Sequence, residues 1–345
     1  MTKHEEYINR CFELARGGFP RACPNPLVGA LIVQNDNVVA EGYHRIFGEA
    51  HAEVNAIEQV KDASSLREST LYVNLEPCSH HGKTPPCCDL IISSGIKKIV
   101  VANIDPNPMV AGRGIEKLKN AGIEVIVGVC EKEGRVLNIR FFTFHQKHRP
   151  YVILKYATTA NNFIADENYQ SKWISNQYSR LLVHQWRGEE QAILVGTKTA
   201  AVDNPRLTNR FTTHKNPLRL VIDKDLKLSP QLHLFDEETP TIVLTSKAQE
   251  NRPNLQFAEI DFKQDVVAQI MQLLYERNIH SLIVEGGSAT LESFIKTGCW
   301  DEGRLFVSKR MFEKGVAAPV IKGNLHSVAD IMGDQLRIIK NPENE

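Results

Sequence analysis

The sequence carries no excess of either charge, because its 41 lysines and arginines are balanced by 41 aspartates and glutamates. Nucleic acids and anionic membranes attract proteins that concentrate positive charge, and binding to a phosphate backbone is mainly electrostatic. The balanced composition therefore disfavours a protein that binds nucleic acid or a membrane surface. It leaves open local basic pockets for small anionic ligands.

Long apolar runs are also missing. No stretch approaches the roughly 18 consecutive apolar residues that a membrane-spanning helix needs, and polar residues occupy the N-terminal positions where a signal peptide has its apolar core. The seven cysteines are an odd number, and four of them are scattered along the chain, so a disulfide framework is excluded. We therefore expect a cytoplasmic protein without a membrane segment.

The length of 345 residues exceeds a typical single core of about 150 residues and predicts two domains. Strand and helix patterns alternate in both halves, which is typical of layered α/β domains. A polar, basic stretch at 145–150 separates the two series, so the predicted domains are 1–146 and 147–345. Helices are predicted at 4–16, 51–60, 87–95, 175–188 and 265–277, and strands at 27–33, 38–43, 70–75, 98–103, 123–127, 151–155, 191–195, 218–222, 241–245 and 281–285.

One constellation in the first half has the ligand types of a zinc site. His51 opens a predicted helix two residues before Glu53, Cys78 follows a strand, and Cys87 begins the next helix. One imidazole and two thiolates leave the fourth tetrahedral position for water, as a catalytic zinc requires. The His-x-Glu and Pro-Cys-x-x-Cys signature belongs to zinc nucleobase deaminases, in which the glutamate moves protons and does not bind the metal. The match is partial, because the two cysteines here lie nine positions apart.

Two alternatives for this constellation stay open from the residues alone. A structural zinc would need a fourth protein ligand, which His80, His81 or Cys88 offers. Cys88 also competes with Cys87 for the place of the second thiolate. Structural sites usually show paired, short cysteine spacings that are absent here, which favours the catalytic interpretation.

The segment PCSHHGKTPPC (77–87) resembles, residue for residue, the zinc loop of the bifunctional riboflavin-biosynthesis deaminase/reductase family, which carries these extra residues between its cysteines. PNPLVGA (24–30), EGYH (41–44), DPNP (105–108) and GRGI (112–115) match the same family. The resemblance implies a cytidine-deaminase-like three-layer domain that removes the 2-amino group of 2,5-diamino-6-(5-phosphoribosylamino)pyrimidin-4-one by hydrolysis. It also implies Zn²⁺ bound by His51, Cys78 and Cys87, a catalytic Glu53, and substrate contacts from Asn25, His44, Lys83 and Asp105.

The second half is similar to the reductase domain of that family through four segments in the same order: SKWIS (171–175), VGTKT (195–199), DNPRLT (203–208) and VEGGS (284–288). Taken alone, the glycine pair is only a weak signal for phosphate at a helix N-terminus. The resemblance implies a dihydrofolate-reductase-like α/β domain that uses NADPH to reduce the ribosyl group to ribityl. Implied cofactor residues are Ala157, Trp173, Thr199, Asp203, Gly287, Ser288, Ala289, Thr290, Leu291, Glu292 and Ser293. Implied substrate residues are Ser171, Arg187, Leu207, Arg210 and Glu285.

The turn after the first strand of this domain departs from the family. The family usually has Ser-Leu-Asp-Gly there, whereas this chain has Thr159, Ala160, Asn161 and Asn162. Asparagine tolerates the left-handed backbone conformation that glycine normally takes, so we expect the turn to survive. Because the aspartate of the family is missing here, we expect the contacts of the reductase with cofactor or substrate to differ from those of the family. The segment around Lys309 also matches the family poorly.

Three other functions fit the sequence less well than the bifunctional enzyme. A deaminase of another base or nucleoside with a non-catalytic second domain is disfavoured by the long insert between the cysteines and by two arginines suited to a sugar phosphate. An RNA-editing or RNA-binding protein is disfavoured by the zero net charge. A zinc-structured interaction module is disfavoured by the open ligand position. We expect a homo-oligomer whose partner is a small phosphoribosyl pyrimidine.

Overall fold

The computed structural model describes residues 1–80, 85–169 and 174–344. These residues form two compact units, Met1–His148 and Arg149–Glu345. In the described part of the chain, no helix combines the length and the apolar character that crossing a membrane requires.

The first unit is built on a five-stranded sheet with the strand order β2-β1-β3-β4-β5. β1 is antiparallel to both of its neighbours, whereas β3, β4 and β5 are parallel. Its elements are α1 (Lys3–Arg16), β1 (Gly29–Gln34), β2 (Asn37–Tyr43), α2 (Ala52–Ile57), a 3₁₀ helix (Ala63–Glu68), β3 (Thr70–Leu75), α3 (Cys87–Ser94), β4 (Lys98–Asn103), α4 (Arg113–Asn120), β5 (Glu124–Val127), α5 (Glu131–Leu137) and α6 (Ile139–Lys147).

Helices cover both faces of this sheet, so the unit has three layers. Ile8 and Phe12 of α1 pack on one face against Tyr72 and Val100. α2, α3 and α4 cover the other face, where Ile91 packs in the core with residues of all the central strands. Burial on both faces explains why β3 and β4 are almost continuously apolar. The prediction of a three-layer α/β domain is confirmed.

The first unit differs from the sequence prediction in the end of α2, in the domain boundary and in two additional helices. α2 ends at Ile57 and not near residue 60. The polar stretch that suggested a domain boundary at 146 begins inside α6, which continues to Lys147, and the compact unit ends at His148. α5 and α6 were not predicted, because polar residues mask the apolar face that α6 buries through Phe141, Phe142 and Phe144.

The second unit has a nine-stranded sheet with the order β11-β10-β9-β8-β12-β6-β13-β16-β15, in which the first seven strands are parallel and β16 and β15 are antiparallel. Its elements are β6 (Tyr151–Thr158), β7 (Phe163–Asp166), α7 (Gln177–Glu189), β8 (Ala192–Val195), α8 (Thr197–Asp203), β9 (Leu218–Ile222), a 3₁₀ helix (His233–Phe235), β10 (Thr241–Thr245), β11 (Leu255–Glu259), α9 (Val266–Glu276), β12 (Ser281–Val284), α10 (Ser288–Lys296), β13 (Glu302–Val307), β14 (Gly315–Ala317), β15 (Asn324–Ile331) and β16 (Asp334–Lys340).

The strand order places a binding crevice at the carboxyl ends of β6, β8 and β12. β12 lies between β8 and β6, although it follows both of them in the chain. In open parallel sheets, ligands bind at such a point, where consecutive connections run in opposite directions. The strands at the other edge, β13, β16 and β15, were not predicted from the sequence, nor was the separate two-stranded sheet of β7 and β14.

The altered turn of the second unit keeps its shape. Asn162 has a φ of 70°, in the left-handed region, and its N–H donates to the carbonyl of Thr159 at 3.1 Å. Asn161 stands where the family usually has the acid, and its side-chain amide donates to the carbonyl of Phe312 at 2.7 Å. The prediction that asparagine supports this turn is confirmed.

Candidate active sites

The three predicted metal ligands of the first unit meet in space. The Nδ1 atom of His51 lies 3.3 Å from the Sγ of Cys87 and 3.6 Å from the Sγ of Cys78, and the three donor atoms lie within 4.8 Å of one another. Tetrahedral zinc bonded to nitrogen and sulfur at normal lengths sets an N···S separation of roughly 3.5 Å. The donor set and its spacing therefore fit a zinc ion.

The local structure explains why these side chains converge. His51 precedes α2, Cys87 is the first residue of α3, and Cys78 follows the carboxyl end of β3. Hydrogen bonds from Cys87 and His51 lower the pKa of the Cys78 thiol to about 4, which favours the thiolate that binds metals. The positive ends of the two helices face the same point.

Cys88 is not part of the cluster. Its Sγ atom lies 3.3 Å from the carbonyl oxygen of Pro77 and 3.6 Å from that of Gly114. The cluster thiol is therefore Cys87, and the alternative with Cys88 in its place is wrong. The structure does not join His80 to the cluster within the described residues, and His81 lies outside them.

Glu53 is buried beside the cluster, where the sequence predicted it. Burial raises the pKa of its carboxyl group, and the nearby His51 offsets part of that rise. A carboxyl group with a raised pKa suits a residue that takes up a proton and releases it within one catalytic cycle.

A cavity of about 270 Å³ opens onto the cluster and onto Glu53. Asn25, His44 and Asp105 line it as predicted, and Lys83 lies outside the described residues. The side-chain amide of Asn25 is 3.1 Å from the Nε2 of His44, and the Nδ1 of His44 is 3.0 Å from the carbonyl of Ala50. Burial lowers the pKa of His44, so its ring is held neutral between these two partners.

Glu76 borders the same cavity, and the sequence analysis missed it. Its buried carboxylate accepts four backbone hydrogen bonds, from the N–H groups of Asp105, Gly112, Gly114 and Ile115, at 2.8 to 3.2 Å. It thereby fixes the loop that carries Asp105 to the start of α4. The available signal was a glutamate at the end of a buried strand, directly before the Pro-Cys motif.

Replacing Asp105 with asparagine is expected to weaken the pH dependence of stability between about pH 4 and pH 7. Burial raises the pKa of Asp105 from 3.8 to about 7, although the N–H of Asn107 opposes the rise. Between these values the folded protein keeps the proton and the unfolded chain has lost it. The free energy of unfolding of the wild type therefore falls as the pH rises through this window, and an amide at this position removes that loss.

Urea unfolding of the wild type and Asp105→Asn, measured at several pH values in EDTA, checks this prediction. EDTA keeps the pH dependence of metal binding out of the comparison. If the two curves of unfolding free energy against pH run parallel from pH 4 to pH 8, Asp105 does not titrate in the way described.

The second unit has a larger cavity, of about 740 Å³, at the carboxyl ends of β6, β8 and β12. Most of the predicted residues line it: Ala157, Arg187, Thr199, Asp203, Leu207, Arg210, Glu285, Gly287, Ser288, Ala289, Thr290 and Leu291. Glu292 and Ser293 do not. They point along α10, where Glu292 accepts a hydrogen bond from Ser288 and Ser293 donates to the carbonyl of Ala289. Ser171 and Trp173 lie outside the described residues.

Glu285 is the charged centre of this cavity. The guanidinium of Arg187 binds it through two hydrogen bonds of 2.9 and 2.8 Å, and the Nζ of Lys155 is 3.6 Å away. Burial alone would raise the pKa of Glu285, but the charges of Arg187 and Lys155 outweigh it and lower the pKa to about 2. The carboxylate is therefore ionised at neutral pH.

Lys155 was missed by the sequence analysis. It lies on β6, next to β12, which Glu285 directly follows, and burial lowers the pKa of its ammonium group. The sequence feature that could have revealed it is a single lysine inside an otherwise apolar strand. In a buried strand of a parallel sheet an unpaired charge is costly, so such a lysine is expected to have a charged partner.

Two threonines and two glycines bring the loops after β8 and β12 close together. A Cβ at Gly286 would lie 2.9 Å from the Cγ2 and 3.1 Å from the Oγ1 of Thr199, and a Cβ at Gly196 would collide with the hydroxyl of Thr290. Glycine is required where backbones approach this closely. α10 starts at Ser288, and its first residues, Ser288 and Ala289, line the cavity. A helix N-terminus at this position suits a phosphate-bearing cofactor.

Replacing Gly286 with alanine is expected to raise the KM for NADPH about tenfold, because overpacking of this kind costs roughly 1–3 kcal/mol. The new methyl group pushes Thr199 and separates the two loops. Adding Thr199→Ser removes the crowded Cγ2 and should recover part of the affinity. The measurement is the KM for NADPH of the three variants, with ammonia release as an internal control. An unchanged KM in Gly286→Ala would show that the loops tolerate the methyl group.

Comparison with known proteins gives matches over both units. Residues 1–103 match the cytidine and deoxycytidylate deaminase zinc-binding region, and residues 150–319 match the RibD C-terminal domain. The riboflavin biosynthesis protein RibD of Aquifex aeolicus is 42% identical over 318 residues, which cover 91% of this chain and 89% of that protein. RibD of Escherichia coli is 32% identical over 353 residues, covering 94% and 93%.

Two crystal structures are similar over nearly the whole chain. One is a diaminohydroxyphosphoribosylaminopyrimidine deaminase/5-amino-6-(5-phosphoribosylamino)uracil reductase from Thermotoga maritima, with a TM-score of 0.89, 40% identity, and coverage of 98% of this chain and 99% of that chain. The other is RibD from Acinetobacter baumannii, with a TM-score of 0.89, 30% identity and the same coverage.

The fold and the two sites define a class of protein in which a zinc-dependent deaminase domain is followed by a reductase domain that uses a pyridine nucleotide. Both domains are matched, so the alternative of a non-catalytic second domain is not supported. The chain belongs to the RibD family of riboflavin biosynthesis proteins. It is a bifunctional deaminase and reductase with Zn²⁺ and NADPH as its cofactors.

Proposed function

We propose that this chain deaminates 2,5-diamino-6-(5-phosphoribosylamino)pyrimidin-4-one to 5-amino-6-(5-phosphoribosylamino)uracil and then reduces the ribosyl group of that product to ribityl. The observation that carries the proposal is the presence of both sites on one chain, the His51, Cys78 and Cys87 cluster and the Glu285 cavity. The Thermotoga maritima protein, which carries both activities in its name, is similar over the full length. We assign the deaminase to residues 1–146 and the reductase to residues 147–345.

In the deaminase, His51, Cys78 and Cys87 hold the zinc. The bound metal supplies a Lewis acid that lowers the pKa of water. Glu53 takes one proton from the attacking water and passes it to the ring nitrogen. It then passes the second proton, from the hydroxyl group added to the substrate, to the amino group, which leaves as ammonia. Glu53 is buried and lines the deaminase cavity, so its carboxyl group is within reach of a substrate bound there.

Asn25, His44, Lys83 and Asp105 are proposed to hold the substrate of the deaminase. His44 uses both ring nitrogens, as a donor to the Ala50 carbonyl and as an acceptor from the Asn25 amide. It thereby orients Asn25, whose second N–H and carbonyl oxygen remain for the pyrimidine. Asp105, with a pKa of about 7, is able to donate as well as accept a hydrogen bond near neutral pH. Glu76 acts through the loop that it anchors.

In the reductase, we assign NADPH binding to Ala157, Trp173, Thr199, Asp203 and the segment 287–291, and substrate binding to Ser171, Arg187, Leu207, Arg210 and Glu285. The cofactor supplies the hydride. Opening of the sugar ring gives an imine at the ribose C1, and protonation makes that carbon a better hydride acceptor. An ionised Glu285 stabilises the resulting positive charge, and Lys155 donates hydrogen bonds beside it.

We propose that the protein is a homo-oligomer in the cytoplasm with no nucleic-acid partner. β15 supports self-association, since it lies at the edge of its sheet and nearly all of its residues are exposed. Leu325 and Val328 on this strand are exposed apolar residues. Such an edge offers unpaired backbone groups for pairing with another strand. Light scattering of the purified protein gives the mass of the assembly.

The two-step assignment is tested with purified, zinc-loaded protein and the diaminopyrimidine substrate. Ammonia release is measured first without cofactor, and oxidation of NADPH is followed after the cofactor is added. We expect ammonia in the first stage and NADPH consumption only when the deaminated product is present. Ammonia without NADPH oxidation would contradict the reductase assignment and point to the 159–162 turn, and the absence of both signals would contradict the substrate.

A further inference from the structure

His184 is a buried side chain of the reductase cavity for which the mechanism above has no role. It lies on α7, is 5% exposed and borders the cavity. Its Nε2 lies 3.2 Å from the Nη2 of Arg210, and its Nδ1 lies 3.3 Å from the backbone nitrogen of the same residue. The ring also packs edge-to-face against Phe211, with the ring centroids 4.6 Å apart.

Arg210 depends on this histidine for its orientation. It is exposed and lies in a segment without regular secondary structure between α8 and β9. Among the described residues, the hydrogen bond to His184 is the only one that the guanidinium makes. A long charged side chain without such support samples many rotamers.

The two arginines assigned to the substrate are not equivalent. Glu285 occupies the Nε and Nη2 atoms of Arg187, and the carbonyl of Thr208 lies 3.4 Å from its Nη1. Arg210 uses one nitrogen for His184, so the rest of its planar fork is available for the paired oxygens of a phosphate. Recognition of the substrate phosphate therefore falls mainly on Arg210.

The protonation state of His184 agrees with a role as acceptor. A neutral imidazole has one acceptor nitrogen, whereas an imidazolium has none. With Nε2 as the acceptor for the guanidinium, the ring proton is on Nδ1, and the approach of Nδ1 to the backbone nitrogen of Arg210 is a contact and not a second hydrogen bond. Burial lowers the pKa of His184 to about 4, and the charges of Arg187 and Arg210 act in the same direction against a weaker effect of Glu285. The ring is neutral at physiological pH.

We propose that His184 is a positioning residue for the reductase, which holds the Arg210 guanidinium at the cavity so that it binds the phosphate of the phosphoribosyl substrate. The inference rests on the proposed reductase function and adds a residue to it. Arg210 touches the substrate, and His184 acts through Arg210. Removing the acceptor nitrogen should therefore weaken binding of phosphorylated substrate and leave the hydride transfer step intact.

The test uses the full-length, zinc-loaded enzyme with the deaminated product and NADPH. The variants are His184→Phe, which keeps an aromatic ring but has no acceptor, His184→Gln, which keeps an acceptor, Arg210→Ala, and the double variant His184→Phe/Arg210→Ala. His280→Gln is the matched control, because His280 is an equally buried histidine that lies at the start of β12, at the opposite end of the sheet.

We expect His184→Phe to raise the KM for phosphorylated substrate roughly 10-fold or more, as loss of a hydrogen bond to a charged group does, with kcat and the KM for NADPH nearly unchanged. The KM for the dephosphorylated substrate should not change. The double variant should resemble Arg210→Ala, because both changes remove one interaction. His184→Gln should recover part of the affinity, and His280→Gln should bind substrate like the wild type.

An unchanged KM in His184→Phe, or effects of His184→Phe and Arg210→Ala that add in the double variant, would overturn the proposal. An equal loss with dephosphorylated substrate would overturn it too, since it would mean general damage to the cavity. If His184→Phe does not fold, His184→Leu, which also lacks an acceptor, takes its place in the same comparison of the KM for the two substrates. A wild-type enzyme that fails to oxidise NADPH with the deaminated product would instead remove the proposed function itself.

Discussion

Glu53→Gln is expected to lower the rate of ammonia release by about 10²- to 10⁴-fold, the usual contribution of a general acid and base. Glutamine keeps the size and polarity of the side chain, but it cannot take a proton from water and return it to the substrate. The carboxyl group of Glu53 is buried next to His51 and is not one of the three metal-binding atoms. Zinc content should therefore stay at the wild-type level.

The measurement is the steady-state rate of ammonia release together with the zinc content of the same sample. NADPH oxidation with the deaminated product serves as an internal control, because the reductase lies in the other unit. Glu58→Gln is the matched variant, since Glu58 is an exposed glutamate at the end of the same helix. Near-normal ammonia release in Glu53→Gln would contradict its role as proton shuttle, and loss of zinc would make Glu53 part of the metal site.

Glu285→Gln is expected to abolish most reductase activity and to destabilise the second unit by roughly 3–5 kcal/mol, the usual cost of breaking a buried ion pair. The amide leaves Arg187 and Lys155 without their shared countercharge. It also removes the anion that stabilises the iminium carbon. Deaminase activity should not change.

The ionisation of Glu285 also makes the free energy of unfolding of the second unit depend on pH. The pKa of Glu285 is about 2 in the folded protein, against an ordinary value of 4.5. The unfolded chain therefore binds more protons between these values. The stabilisation is complete above about pH 4.5 and is lost as the pH falls towards 2.

Glu302→Gln provides a matched control for the loss of a buried ion pair. Glu302 lies at the start of β13, away from the cavity, and binds Arg304 and Lys340 at 2.5 and 2.6 Å. Its replacement should destabilise the unit by a similar amount with little effect on kcat. Urea unfolding and NADPH oxidation of both variants separate the two effects. Equal kcat values for Glu285→Gln and Glu302→Gln would contradict a catalytic role of Glu285.

The family resemblance already implied the zinc ligands His51, Cys78 and Cys87, and these three residues form the cluster. Histidine and cysteine are recognisable as ligands from their types and spacing alone, and the helix and strand patterns placed them at element ends. The choice between Cys87 and Cys88 was different, because adjacent residues at a helix start differ only in direction. Packing decided it by turning Cys88 towards Pro77 and Gly114.

The residues that the sequence did not reveal are the ones that act through distant partners. Glu76 binds backbone groups 29 to 39 positions away, and Lys155 reaches a carboxylate on a neighbouring strand. No local period or short motif encodes such pairs, since they depend on the order of strands in a sheet.

By itself, the sequence determined the α/β class of both domains and the ligand types of the zinc site, which follow from helix and strand periods and from residue chemistry. The resemblance of its motifs to a known family supplied the type of each domain and a set of site residues, most of which line the two cavities. Only the tertiary structure decided which thiol joins the cluster, that Glu292 and Ser293 turn away from the cavity, and that His184 supports Arg210. Such choices depend on which side chains converge in space, which long-range packing of the strands and helices fixes.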